Sequence, residues 1–445
     1  MREGNGRRAK TVAVRYPKKI LQGIDKCGME LMVGGMSEPP RRVRMSEPMR
    51  RQGIIRFEMP EDTLAPGHRA RLIWRVLETL DLSAFSAKAK AVQGRAGRNV
   101  LSTSMLLTLW LYAISNGIGS AREIVRRTES DDAFRWIIGD KKVGHASLSA
   151  FRVGHGRALE KLMTDVLGAL LHKGLLSLER VAQDGTRVRA SASAPSFRRE
   201  ASLLECREQA ALHLKAVLAE AESDTTAAEK LARIAGALDY QQRVEAAIAT
   251  VQSLRDEGKE KPRASTTDAD ARVMKMPDGG FRPGYNIQLA TAGSELGGPR
   301  TIVGLLVTNV GSDVGSITPM LDDIKARTGR LPSQLLADAG HAKHSCIEAA
   351  SRAGVELLMA IPKHEQCATK PVSAEVLAWR ERMQTDEAKR GYRARAALCE
   401  LSNAHLKCHH GTADLLVRGL AKVTCVALLG AIVANVLAHA TAWLA

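Results

Sequence analysis

The chain has 445 residues, 45% of them apolar, with 65 Lys and Arg against 48 Asp and Glu. That length excludes a single small module and points to two or three domains. A net charge of +17 favours a polyanionic partner, with nucleic acid the natural candidate. Seven scattered cysteines without a CxxC pair fit a reducing cytosol, and the charged first residues lack the apolar core of a signal peptide.

Residues 1–56 carry 14 basic and 5 acidic side chains, about half of the net charge. The words Met36-Ser37-Glu38-Pro39 and Met45-Ser46-Glu47-Pro48 are a duplication inside this stretch. A disordered leader over 1–60 is the expectation, ahead of a phosphate-tracking arm, with the start open among Met1, Met36, Met45 and Met49. Residues 61–176 read as a helical domain. The run LSTSMLLTLWLYAI is apolar on nearly every face, Asn116-Gly117-Ile118-Gly119 breaks it, and Ser120 to Glu123 restarts it as a capping box. Further helices are expected at 131–138 and, with Ser147 as N-cap, over 148–173. Short helices carrying Arg122, Arg126, Arg127, Arg152 and Arg157 fit either a helix-turn-helix offered to a DNA groove or a plain bundle with solvated arginines.

From residue 177 the pattern changes. Strands are expected at 180–189, 284–291, 301–308, 334–337 and 355–361, with helices at 316–328 and 345–353. Strands first, then helix and strand in alternation, make an α/β domain with a mixed sheet. Residues 198–258 interrupt it after the first strand. With 8 basic and 11 acidic residues, and Leu231, Ile234, Leu238, Val244, Ile248 and Val251 near helical spacing, they read as an inserted helical hairpin for packing or self-association. The apolar stretch 423–445 approaches membrane-spanning length, but Asn435 and His439 interrupt it, so a buried closing helix is expected and no membrane.

Three acidic residues stand out. Asp184 in VAQDGTRV and Asp338 in QLLADAGH end apolar strand-like runs, and Glu400 sits in the helical YRARAALCELSNAHLK. A carboxylate ending a buried strand is costly unless a cation or donor satisfies it. Gly185 and Gly340 follow closely, where small neighbours allow a metal and phosphate near the backbone. Three such carboxylates around divalent metal suit phosphodiester chemistry.

The words VAQDGTRVRASAS, STTDADARVMKMPDGGFRPGYNIQLA, ADAGHAKH and YRARAALCELSNAHLK, with LLVRGLAKV behind them, resemble insertion-sequence transposases with an Asp-Asp-Glu triad, of the IS1182 type within the IS4/IS5-like group. The resemblance covers about residues 60–440. It implies an RNase H-like α/β fold over 177–445, a five-stranded mixed sheet flanked by helices, with the helical insertion after its first strand and a helical DNA-binding region before it. It further implies that Asp184, Asp338 and Glu400 are catalytic and hold two Mg²⁺ or Mn²⁺ ions. DNA is the implied partner, as terminal inverted repeats and target, with a homodimer joining two ends and a cytoplasmic, nucleoid-associated location.

In the wider signature Tyr, Arg, Glu and Lys share one helical face. Here Tyr392, Arg395, Glu400 and Lys407 carry one residue too many between Arg395 and Glu400, which turns them about 140° apart on an unbroken helix. Either the helix begins or bulges between them, or Arg393 takes the phosphate-binding role. Asp268 and Asp270 are a further acidic pair, with turn formation the plainer explanation, and Cys408-His409-His410 with His405 reads as a polar loop, not a zinc site. No GxxxxGK[ST] loop is present, so no nucleotide cofactor is expected. Two alternatives remain: a transposase-derived DNA-binding regulator, and a phosphohydrolase using Asp184 as nucleophile, which lacks the second aspartate two residues later.

Overall fold

The computed structural model describes residues 59–87, 100–139, 141–219, 226–293, 297–363, 371–409 and 411–445. The readings made on 1–58, including the leader, lie outside them. Seven helices of the described residues precede the first strand: α1 (Arg69–Glu78), α2 (Ser83–Ser86), α3 (Thr103–Ser115), α4 (Ala121–Ser130), α5 (Asp132–Ile138), α6 (His145–Gly154) and α7 (Gly156–His172). Helix α3 is apolar all round because it is buried all round, from Met105 to Ser115. It ends in a Schellman turn. Ile118 N–H donates to Ala113 O and Gly117 N–H to Ile114 O, both at 2.9 Å, and Gly117 takes φ +74°, which a side chain would resist. Ser120 then caps α4 by accepting from Glu123 N–H, but the Glu123 carboxylate turns to Arg126 and Arg127 and does not complete a box.

The single helix expected over 148–173 is two. Helix α6 begins after Gly144, three residues before the expected cap at Ser147, and breaks at His155 between Gly154 and Gly156. Glycine on both sides removes the side-chain packing and lowers the helix propensity that would carry a helix through the break.

The sheet strands are β1 (Arg180–Arg189), then, past a two-stranded ribbon of β2 (Phe197–Arg198) and β3 (Ala264–Ser265), β4 (Arg272–Lys275), β5 (Phe281–Ala292), β6 (Thr301–Thr308), β7 (Gln334–Ala337) and β8 (Glu356–Met359). The ribbon closes the base of the insertion, a hairpin of α8 (Glu200–Ala219) and α9 (Ala227–Asp256). Its own small core holds Leu203, Cys206, Val244, Ile248 and Val251, while Leu231 and Leu238 are exposed. Helix α10 (Ile317–Thr328) joins β6 to β7, and α11 (His344–Arg352) joins β7 to β8. Then come α12 (Ala374–Arg382), α13 (Asp386–Ala404) and α14 (Leu420–Leu444).

Strand β5 runs antiparallel to β1, from Val181 opposite Ala292 to Arg189 opposite Gly284, while β7 is parallel to β1 and β8 to β7. The free edge of β5 is shared end to end by β6 and β4, both antiparallel. The sheet is therefore mixed and six-stranded, one strand more than expected. The addition is β4, for which no strand was expected. It is a strand because the long β5 extends past β6 and leaves backbone groups that need partners.

One apolar core runs from Ala70 in α1 to Trp443 in α14. Helix α14 is long and apolar enough to cross a membrane by length and composition, yet it packs on α1, α3, α7 and β6. The two residues that interrupt its apolar run serve β6: Asn435 Nδ2 donates to Ile302 O (2.8 Å), its Oδ1 accepts from Ile302 N (2.7 Å), and His439 Nε2 meets Thr301 Oγ1 at 2.7 Å. Asp268 and Asp270 are satisfied at the start of the same helix. Asp268 accepts from Tyr285 Oη through both oxygens and from Gly419 N, and Asp270 accepts from Leu420 N. These acids anchor α14 and take no part in the site below.

Candidate active site

Ala182 of β1 lies opposite Leu336 of β7, so two steps further along these parallel neighbours Asp184 and Asp338 reach the same level. Each acid has its own environment. Asp184 Oδ1 accepts from Gly185 N (2.8 Å), and its Oδ2 accepts from Asn403 Nδ2 (3.2 Å) with Arg395 Nη1 at 3.9 Å, both from α13. Burial nonetheless pushes the Asp184 carboxyl above its usual range; Arg395 opposes this and the charge of Asp338 adds to it. Asp338 goes the other way. It ends β7 as the N-cap of the turn Ala339–His341, accepting from Gly340 N (2.9 Å) and meeting His341 Nδ1 at 2.7 Å, a contact that holds it below the ordinary carboxylate range against burial.

His341 is fully buried and bridges to a polar cluster on the opposite face of the sheet from α13. Its Nε2 lies 3.2 Å from Gln288 Oε1. Gln288 and Asn286 both donate to Asp313 Oδ1, and Gln183 Nε2 donates to Ser316 Oγ at 2.9 Å. Gly185 faces this cluster, where a Cβ would overlap the Gln288 amide and the Asp313 carboxylate. Its smallness serves that cluster directly. None of these roles was read from the sequence, although Asn286 and Gln288 recur at period two inside an apolar strand, the signal of a buried polar stripe.

Helix α13 covers β1 and β5 on the other face. It turns Arg395, Cys399 and Asn403 toward the acids, and Tyr392 is half-buried with the Arg395 guanidinium 5.9 Å from its ring centre. Glu400 is exposed, one position round from Cys399. The structure thus brings Asp184 and Asp338 together and leaves Glu400 on the flank, as the five-residue step from Arg395 dictates for an unbroken helix. Among the described residues no three His, Cys, Asp or Glu side chains stand together as metal ligands. The irregularity that could absorb the extra residue lies beyond Glu400, in a π-helical turn at His405–His409 that carries half-exposed Lys407.

The cations expected to meet DNA divide in two. Arg122, Arg126 and Arg127 are exposed on α4, with Arg126 and Arg127 paired to Glu123, and Arg393 is exposed on α13. Arg152 is corrected: it is buried, its guanidinium lies 4.6 Å from the Trp110 ring centre, and Nη1 donates to Gly119 O at 2.6 Å. It ties α6 to α3, and that burial takes it off any DNA-facing surface.

A buried carboxylate with few donors, facing a second carboxylate held anionic, is a pair that a divalent cation would satisfy. The two aspartates fit such an ion, while the third carboxylate stands outside. Replacing His341 with Phe is expected to lower divalent-metal affinity or activity by about 10–100-fold, the usual cost of losing an outer partner. A calorimetric Mn²⁺ titration checks this. Stability from the His341 contact is present above the ordinary Asp range and lost as pH falls through the lowered Asp338 value, so the variant should also lose that acid-side dependence.

The comparisons bear on this arrangement of a helical region ahead of a mixed sheet with paired acids at its strand ends. Residues 58–153 match the family described as Transposase domain (DUF772), and residues 342–438 match Transposase DDE domain. These two matches support a DDE transposase. The second match includes Arg395 and Glu400, while Asp184 and Asp338 lie before it. No curated protein and no solved structure matches the chain.

Proposed function

We propose that this transposase cuts the ends of its insertion sequence and transfers the freed 3′-hydroxyl into target DNA, using Asp184, Asp338 and Glu400 as its acidic set. The observation that carries the reading is the pairing of Asp184 and Asp338 at one level on adjacent parallel strands. The strand order β6-β5-β1-β7-β8, with only β5 reversed, supports an RNase H-like core.

Asp184 and Asp338 would hold Mg²⁺ or Mn²⁺, with Glu400 completing the set. Two such ions, when bound, activate the attacking oxygen and stabilise the leaving one. His341 keeps Asp338 ionised and oriented. Arg395, Tyr392, Arg393 and Lys407 line the approach on and after α13 for backbone phosphates, and exposed Arg122, Arg126 and Arg127 give the helical region its DNA-facing charge. A water oxygen forms a bond to the scissile phosphorus as the P–O3′ bond breaks, and the departing oxygen takes up a proton to become the 3′-hydroxyl. That hydroxyl then loses its proton and attacks a target phosphorus in line, breaking a second P–O3′ bond. No nucleotide is consumed. Two ends must meet, which makes a homodimer on DNA the working assembly, in the cytoplasm and on the nucleoid.

One observation favours a second reading, a regulator that binds without cutting: Glu400 is exposed and Arg395 faces Asp184. A supercoiled plasmid carrying the element's ends separates the two. The transposase nicks it with Mg²⁺, leaves 3′-hydroxyl ends and stops with a chelator, whereas retained binding with no metal-dependent nick overturns cleavage in favour of the regulator.

A further inference from the structure

Helix α13 holds one residue more between Arg395 and Glu400 than its family-like spacing needs, and its irregular turn lies further along. From Arg395 to Glu400 the helix is regular, and the π-helical turn at His405–His409 follows. Such a turn is an α-helix with one residue inserted, and these bulges cluster at functional sites. With the insertion downstream, Cys399 occupies the position facing Asp184 and Asp338. With the insertion between Arg395 and Glu400, five steps act as four, and Glu400 falls about 40° from Arg395, on the acid face.

We infer that the π-turn is mobile along α13: its transfer from His405–His409 to Cys399 turns Glu400 onto Asp184 and Asp338, switching the site from a resting to a metal-binding register. This deepens the proposed function and rests on its assignment of Glu400. Leu398, fully buried, keeps its place because the bulge forms after it. Cys399 becomes the bulged residue and leaves the acid face. Residues 400–404 advance by one position, so Ala404 replaces Asn403 and the Asn403–Asp184 hydrogen bond is released. The contacts of Asn403 and Arg395 with Asp184 hold the resting register, and a divalent cation competes with both for the same carboxylate. The transfer changes no covalent bond and needs no movement of the sheet.

The test uses full-length protein and Mn²⁺, with and without a short DNA duplex. Iodoacetamide labelling resolved by peptide mass spectrometry reads Cys399, buried in the resting register, against exposed Cys408 as internal reference. Mn²⁺ with DNA is expected to raise Cys399 labelling about tenfold or more relative to Cys408. Deleting Cys399 puts Glu400 permanently in its place and should tighten Mn²⁺ binding about tenfold or more. Deleting His409 removes the surplus residue downstream, keeps Cys408 as the reference, and should abolish the metal-dependent labelling of Cys399. Unchanged Cys399 protection in the wild type, alongside Mn²⁺ binding that still needs Glu400, overturns the register shift and leaves the acidic set standing. A Mn²⁺ gain in the Cys399 deletion that survives Glu400→Gln overturns the assignment of Glu400 itself.

Discussion

Asp184→Asn is expected to reduce Mg²⁺-dependent nicking of element ends by a factor on the order of 10³ or more while making the metal-free protein more stable. The two effects share one cause. The Asp184 carboxylate is buried beside Asp338, so its charged form is disfavoured and its pKa lies above the ordinary value. A carboxyl raised in this way favours the fold below the ordinary Asp range and loses that contribution as pH climbs through the raised value, leaving a penalty at neutral pH. Asparagine keeps the shape and, with its one oxygen, either the Gly185 contact or an acceptor toward Arg395 and Asn403, removes the charge, and abolishes the ligand. Gel analysis of plasmid nicking measures the first effect and thermal unfolding at pH 7 without metal the second. A variant that still nicks, or that melts below wild type, would contradict this account of the site.

Asn435→Leu should be the most damaging conservative change in the core, costing about 2–6 kcal/mol, because it strands two buried backbone groups at about 1–3 kcal/mol each. Both polar ends of the Asn435 amide are used on Ile302, its carbonyl and its N–H, where β6 shifts register against β5 and needs partners. Leucine fills the space and raises the hydropathy of α14, so a helix selected for lipid would tolerate or prefer it. In this fold it unpairs the end of β6. Urea unfolding of the purified variant, compared with Val433→Leu as a control two residues away in the same buried helix, gives the cost. A loss under 1 kcal/mol would remove the amide from the account of how α14 is held.

Most of the sheet was legible because its signals are local. The β-branched runs of β1 and β6 and the short apolar run of β7 are bounded by changes in local composition, and their limits follow directly. Helix α10 was legible for the same reason, with Ser316 before it and Gly329, at φ +70°, after it. What depends on distant partners was not. Strand β4 exists only because β5 outruns β6, and the break at His155 reflects two glycines that weaken a helix without forbidding one. At the site, Asp184 and Asp338 announced themselves as carboxylates ending apolar strands, but His341, Asn403 and Cys399 acquire meaning only once α13 and the Ala339–His341 turn are laid against the sheet. The five-residue step from Arg395 to Glu400 was visible as an irregularity. That the compensating π-turn lies after Glu400 was not, since it depends on which side chains α13 packs.

The central claim, that Asp184 and Asp338 together hold a divalent cation, is tested most directly by letting Fe²⁺ take the cation's place and cut the protein chain from within, using ascorbate and peroxide. Fragments ending close to residues 184 and 338, suppressed by excess Mg²⁺ and absent from Asp184→Asn, are the predicted result. Cutting elsewhere, or cutting at these positions that persists in Asp184→Asn, would contradict it.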